Sequence, residues 1–180
     1  MPHAIHKFLT AFAAFLLVLL AGRASLQGQT LQIDSSTANW IEGFVDFVRW
    51  DGEENAEFIT VGIIDAPEVE SYLRKRASER TGKPSILVQA ITATDSFDGV
   101  DIVFVGGSNR KHWQRIFSKC KDNNTLTIGT DDGFVENGGC VEFVVRRNRL
   151  RFYIEGDHVR ESGVVISSKL LELAIEPKSR

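Results

Sequence analysis

Several residue types are scarce: the 180-residue chain has two cysteines, four prolines, four histidines, two tyrosines and one methionine. Two cysteines are too few for a fold stapled by disulfides. Of the histidines, His3 and His6 sit at the very start, and His112 and His158 have neither an i, i+4 histidine nor a cysteine cluster beside them. No metal site and no cofactor is therefore expected, and neither Gly-x-Gly-x-x-Gly nor a P-loop is present. No apolar run reaches the roughly 17–25 residues needed to span a bilayer as a helix. An excess of positive charge is missing too: 21 basic side chains stand against 24 acidic ones, net -3, which argues against a nucleic-acid binder.

What remains, 43% hydrophobic and 25% charged, is the composition of one globular domain. Residues 1–24 read as a secretory signal: His3, His6 and Lys7 precede an apolar stretch from Phe8 to Ala21, and small residues Gly22 and Ala24 follow. Cleavage after Ala24 would remove Lys7 and Arg23 and no acid, leaving a more acidic, extracytoplasmic chain with a single domain over 25–180.

Asp34 to Trp50 carries Trp40, Ile41, Phe44, Val45, Phe47 and Val48 at helical spacing. Phe58 to Ile64 is a nearly continuous apolar run, the pattern of a strand covered on both faces. Pro67 opens a second helix with Val69, Tyr72, Leu73 and Ala77 facing inward, and a strand follows from Ile86 to Ile91. Asp101–Val105 is another strand, then Gly106–Asn109, a helix bearing Trp113, Ile116, Phe117 and Cys120, and a strand Leu126–Ile128. Strands alternating with helices predict an α/β three-layer sandwich with a mostly parallel sheet. Cys140–Val145 and Arg149–Ile154 add a C-terminal antiparallel hairpin, and Ser167–Ala174 a short last helix.

Four arginines, Arg146, Arg147, Arg149 and Arg151, fall within six residues of this hairpin. In an otherwise acidic chain that is a local anomaly, read either as a solvated rim or as a basic face for an acidic partner or a small anion. Arg149, Arg151 and Tyr153 alternate with Leu150, Phe152 and Ile154, so the two faces differ in kind, and Glu142 is available across the hairpin. Gly106-Gly107-Ser108 at a helix start could hold an anion on its backbone amides. Ser108 lies one helical turn from His112, a pairing that a hydrolase would use; a serine that caps a helix is the commoner meaning. Cys120 and Cys140 precede two strands of the proposed sheet, so each is either a small buried core residue or half of a disulfide.

Taken in order, Phe44-Val45-Asp46-Phe47-Val48-Arg49-Trp50, Ile102–Ser108, Gly133-Phe134 with Gly138-Gly139, Arg149–Ile154 and Ile166–Ala174 make the chain similar to the YfiR family over about residues 36–175. Two positions depart: Asp51 follows Trp50 where members often have proline, and Gly99-Val100 precede Asp101 where members often have cysteine, so the family's disulfides are not carried over. The resemblance implies a periplasmic, non-enzymatic homodimer that represses a membrane-bound diguanylate cyclase through its periplasmic sensor domain, and so acts in cyclic-di-GMP signalling and biofilm control. It implies contact residues at Arg49, Trp50, Arg149 and Arg151, with the three arginines expected on one surface. Two other readings use other residues: a small-anion sensor built on Ser108 and the arginines, and a hydrolase built on Ser108 and His112.

Overall fold

A computed structural model of the chain describes residues 33–50, 56–82, 84–107 and 109–176. The proposed signal segment 1–24 and Ser108 lie outside the described residues. The chain divides into two compact units, Met1–Asp34 and Ser35–Arg180, and the architecture is that of the second.

Helix α1 spans 33–47, and the chain then straightens into β1 (Val48–Trp50). There follow β2 (Phe58–Ile64), α2 (Pro67–Glu79), β3 (Ser85–Ala90), β4 (Ile102–Val105), a 3-10 turn Arg110–His112, α3 (Trp113–Asp122) and β5 (Leu126–Gly129). A second 3-10 turn, Val135–Asn137, leads into β6 (Val141–Arg146), β7 (Arg149–Ile154), α4 (Gly156–Glu161), β8 (Val164–Ile166) and α5 (Ser168–Leu171). Six strands form one sheet in the order β3-β2-β4-β5-β6-β7, parallel except for β6–β7. β1 and β8 make a separate antiparallel ribbon.

The expected three layers are present, because period-2 strands deliver side chains to both faces. On one face α1 (Ala38, Ile41, Phe44), α2 (Val69, Leu73) and α5 (Leu170) pack on Val61, Phe104, Ile128, Phe143 and Phe152. On the other, α3 (Trp113, Ile116) packs with Phe97 and Phe134 on Ile64, Val103 and Val105. The Gly-Phe and Gly-Gly motifs serve this second face. A Cβ at Gly129 or Gly139 would stand 2.5 or 2.2 Å from the Phe134 ring, so the two glycines leave the slot that the ring fills.

The first helix is shorter than its apolar spacing implied. Val48 and Trp50 point into the core while Arg49 points out, a period of two, and this segment finds a partner in Val164-Val165-Ile166. That partner and α4 carry too short a pattern to stand out in the sequence. The last helix is also shorter, ending at Leu171.

Candidate partner-binding face

The hairpin turn has two residues, Arg147 and Asn148, both at positive φ (50° and 61°), which is the twist that suits adjacent antiparallel strands. Register across the pair sets Phe143 opposite Phe152, Val144 opposite Arg151 and Arg146 opposite Arg149. Paired residues share a face. Phe143 and Phe152 lie on the α1 face, where Phe152 meets Trp40 and Phe44 edge-on at centroid distances of 4.9 and 5.3 Å. Arg146, Arg149, Arg151, Tyr153 and Glu142 therefore share the opposite face.

The members of that face are treated differently. Arg146 donates to the Tyr153 hydroxyl at 2.9 Å. Glu142, 2% exposed, accepts from the Val135 N–H at 3.2 Å. Burial pushes its carboxyl above the usual range, and the backbone donors of Val135, Gly133 and Phe134 offset part of that effect. Glu142 thus serves the Phe134 turn and forms no ion pair across the hairpin. Arg149 and Arg151 are exposed, and among the described residues neither has an acidic partner.

Arg49 does not join them. It lies on β1, whose neighbours Val48 and Trp50 belong to the α1-side cluster, and its guanidinium donates to Val48 O at 2.7 Å and Asp46 O at 3.3 Å. The expectation of one surface for three arginines thus reduces to a pair, Arg149 and Arg151. The physical reason is that β1 pairs with β8 and not with the main sheet. Trp50 is 8% exposed and its indole N–H donates to Asn124 O at 2.9 Å, so it anchors the ribbon against the start of β5.

The loop after β4 is occupied by its own polar groups. Asn109, buried, donates from Nδ2 to Asp65 Oδ2 at 2.9 Å and to Gly106 O at 2.6 Å. Asp65 holds a positive φ of 49°, and a Cβ at Gly106 would meet the Ala66 Cβ at 2.6 Å. These groups lie where the strand order reverses, between the carboxyl ends of β2 and β4, the usual ligand crevice of such sheets. An anion placed here would face the Asp65 carboxylate.

Cys120 and Cys140 are both buried free thiols. Cys140 Sγ lies 3.5 Å from Ser162 Oγ, and its backbone N–H donates to Thr127 Oγ1 at 2.8 Å. Burial, and secondarily the neighbouring Cys140, push the Cys120 thiol far above its usual range, which makes it a poor nucleophile. A cleft of about 340 Å³ between α3 and α4 is lined by Phe117, Cys120, Lys121, His158, Glu161 and Ser162. His158 Nδ1 donates to Gly139 O at 2.9 Å, a packing role for the ring. Among the described residues no three His, Cys, Asp or Glu side chains gather as a metal site, and no helix is long and apolar enough to cross a membrane.

Fold and site together define an α/β domain with an open sheet, winding to both sides of β2, that presents exposed arginines on its edge hairpin. The chain belongs to the YfiR/HmsC-like family, whose profile it matches over residues 34–175. That family is one of periplasmic regulators in cyclic-di-GMP signalling, regulatory rather than catalytic. None of the curated proteins is similar enough to count as a match. Among solved structures, a conserved domain protein from Vibrio cholerae O1 biovar El Tor strain N16961 is similar in fold, with a TM-score of 0.52 and 13% identity over 78% of this chain and 58% of that one. The ABC domain from Streptococcus pneumonia, solved in complex with L-Trp, gives a TM-score of 0.48 and 13% identity over 64% of this chain and 54% of its own. The chain thus spans little more than half the length of either structure.

Proposed function

We propose that the protein is an exported, non-enzymatic regulator that binds, as a homodimer, the extracytoplasmic sensor domain of a membrane signalling protein and inhibits it. A diguanylate cyclase is the partner that the family favours. The observation that carries the reading is the pair Arg149 and Arg151. They sit exposed and, among the described residues, without acidic partners on a hairpin whose other face is locked into the aromatic core. Charges left unpaired on a rigid scaffold are available to a partner's carboxylates. Inhibition further requires that the regulator bind one state of the partner more tightly than the other.

The test is capture from membranes of the native host with the full chain tagged at its C-terminus, under reducing and non-reducing conditions, beside an Arg149→Ala/Arg151→Ala variant. Recovery of a membrane signalling protein by the parent chain, and its loss in the variant, is the expected result. If the same proteins are recovered with both chains, the arginine face is not the contact. No membrane protein recovered with either would overturn the reading.

A further inference from the structure

The backbone of β7 carries information that its side chains do not. A two-residue hairpin is flanked by a hydrogen-bonded pair, here Arg146 and Arg149, and bonded and non-bonded pairs then alternate. Arg149, Arg151 and Tyr153 consequently turn their N–H and C=O toward β6, and Leu150 and Phe152 turn theirs outward. Two bonds beyond the ladder agree with this parity. Glu155 N–H, the next odd position, donates inward to Cys140 O at 2.9 Å, and Ile175 N–H donates from outside to Phe152 O at 3.0 Å.

β7 is the last strand of its sheet. On its outer edge the Phe152 carbonyl is already taken by the chain's own Ile175 N–H, and two residues earlier the Leu150 amide and carbonyl face the same way. We propose that the partner is engaged there as an added β-strand, and that the segment it contributes is acidic at alternate positions. The inference rests on the partner-binding reading above and specifies its geometry. Main-chain pairing at Leu150 would supply the affinity, while side chains of the incoming strand on the Arg149 and Arg151 face supply the specificity. Charge decides the occupant. A second copy pairing on this edge would bring arginines against arginines, the arrangement that edge strands use to prevent self-association, whereas an acidic strand meets both guanidiniums.

The probe is the capped peptide acetyl-Thr-Glu-Val-Glu-Val-Glu-Thr-amide, titrated calorimetrically into the protein purified as the cell produces it. Two further peptides carry N-methyl groups, one on the valine amides and one on the glutamate amides. In an added strand only one of these sets faces β7, so one methylated peptide should lose binding and the other retain it. The Leu150 amide should exchange with solvent at least about tenfold more slowly under saturating peptide, and Arg149→Glu/Arg151→Glu should weaken binding by roughly tenfold. Leu150→Pro removes the outward N–H at a position where an edge strand tolerates proline, and should abolish binding. If that variant fails to fold, the methylated peptides and the charge reversal still decide. No binding of the unmodified peptide, or equal binding of all three peptides, would overturn the added-strand proposal. If a membrane partner is captured while the peptide fails, the regulatory reading stands without it. Edge binding of the peptide with no membrane partner captured removes the regulatory reading alone.

Discussion

Arginines occur in two settings in this fold, and the contrast separates charge used to hold the fold from charge left for something else. Between α1 and α2, Arg76 is paired with Glu42, and Arg80 with Asp46 and, at 3.6 Å, with Glu42. Arg80 also donates to Pro84 O at 3.0 Å, and its hydrogen bond to the Asp46 carboxylate raises its pKa further above an already high value. On β7, Arg149 and Arg151 have no such company among the described residues and stand on the face opposite Phe152. The first pair ties two helices together. The second makes no such tie, and the aromatic attachment of its hairpin comes from the other face.

The largest test of that contrast removes the attachment itself. Phe152 is almost fully buried and meets Trp40, Phe44 and Phe143 edge-on. Phe152→Ala should cost about 3–5 kcal/mol, measured by urea unfolding, because a large side chain leaves a cavity that the sheet cannot close. A loss under about 1 kcal/mol would mean that the arginine face contributes to holding the hairpin. Next in size is Arg80→Ala, which leaves Asp46 without its paired cation, Glu42 with Arg76 alone, and Pro84 O without its donor. The expected cost is about 1–2 kcal/mol, partly reproduced in the parent chain by high salt. An Arg80 variant as stable as the parent would erase the difference between the two settings.

Much of this layout was legible in the sequence, for reasons that also explain the rest. FITVGII reads as a strand covered on both faces and is one, since six of its seven residues are buried. The alternation in Arg149–Ile154 reads as a two-faced strand, and the register bears this out. What a local pattern cannot convey is the partner of a short strand. Val48-Arg49-Trp50 extends a helical run and takes its conformation from Val164–Ile166, more than a hundred residues away. For that reason Arg49, expected on one surface with Arg149 and Arg151, stands on the ribbon instead. Nor does spacing reveal that Asn109 fills the crevice after β4, or that Glu142 is committed to Val135 N–H rather than to an arginine.

Glu142 sharpens the comparison from the acidic side. Its carboxyl is raised by burial, so the folded state holds its proton more tightly than the unfolded chain does. Stability should therefore fall as pH rises from the ordinary carboxyl value of 4.5 through the raised folded value, and level off above it. Glu142→Gln keeps an acceptor for Val135 N–H and removes the charge. Its melting temperature should exceed the parent's at pH 7, with the gap closing toward pH 4. The opposite sign would show a carboxylate stabilised by the arginines beside it.

The smallest expected change in stability is the most informative about function. Arg149→Ala and Arg151→Ala remove exposed cations that have no acidic partner among the described residues, so together they should shift the unfolding free energy by no more than about 0.5 kcal/mol. The shift should be insensitive to salt, unlike that of Arg80→Ala, because no intramolecular pair is lost. A cost near that of Arg80→Ala would show that these arginines serve the hairpin. A negligible cost together with lost capture of a membrane protein would show that their charge is directed outward. Stability and capture measured on one double variant separate those two outcomes, since an edge kept clear by charge alone predicts self-association of the variant and no change in partner capture.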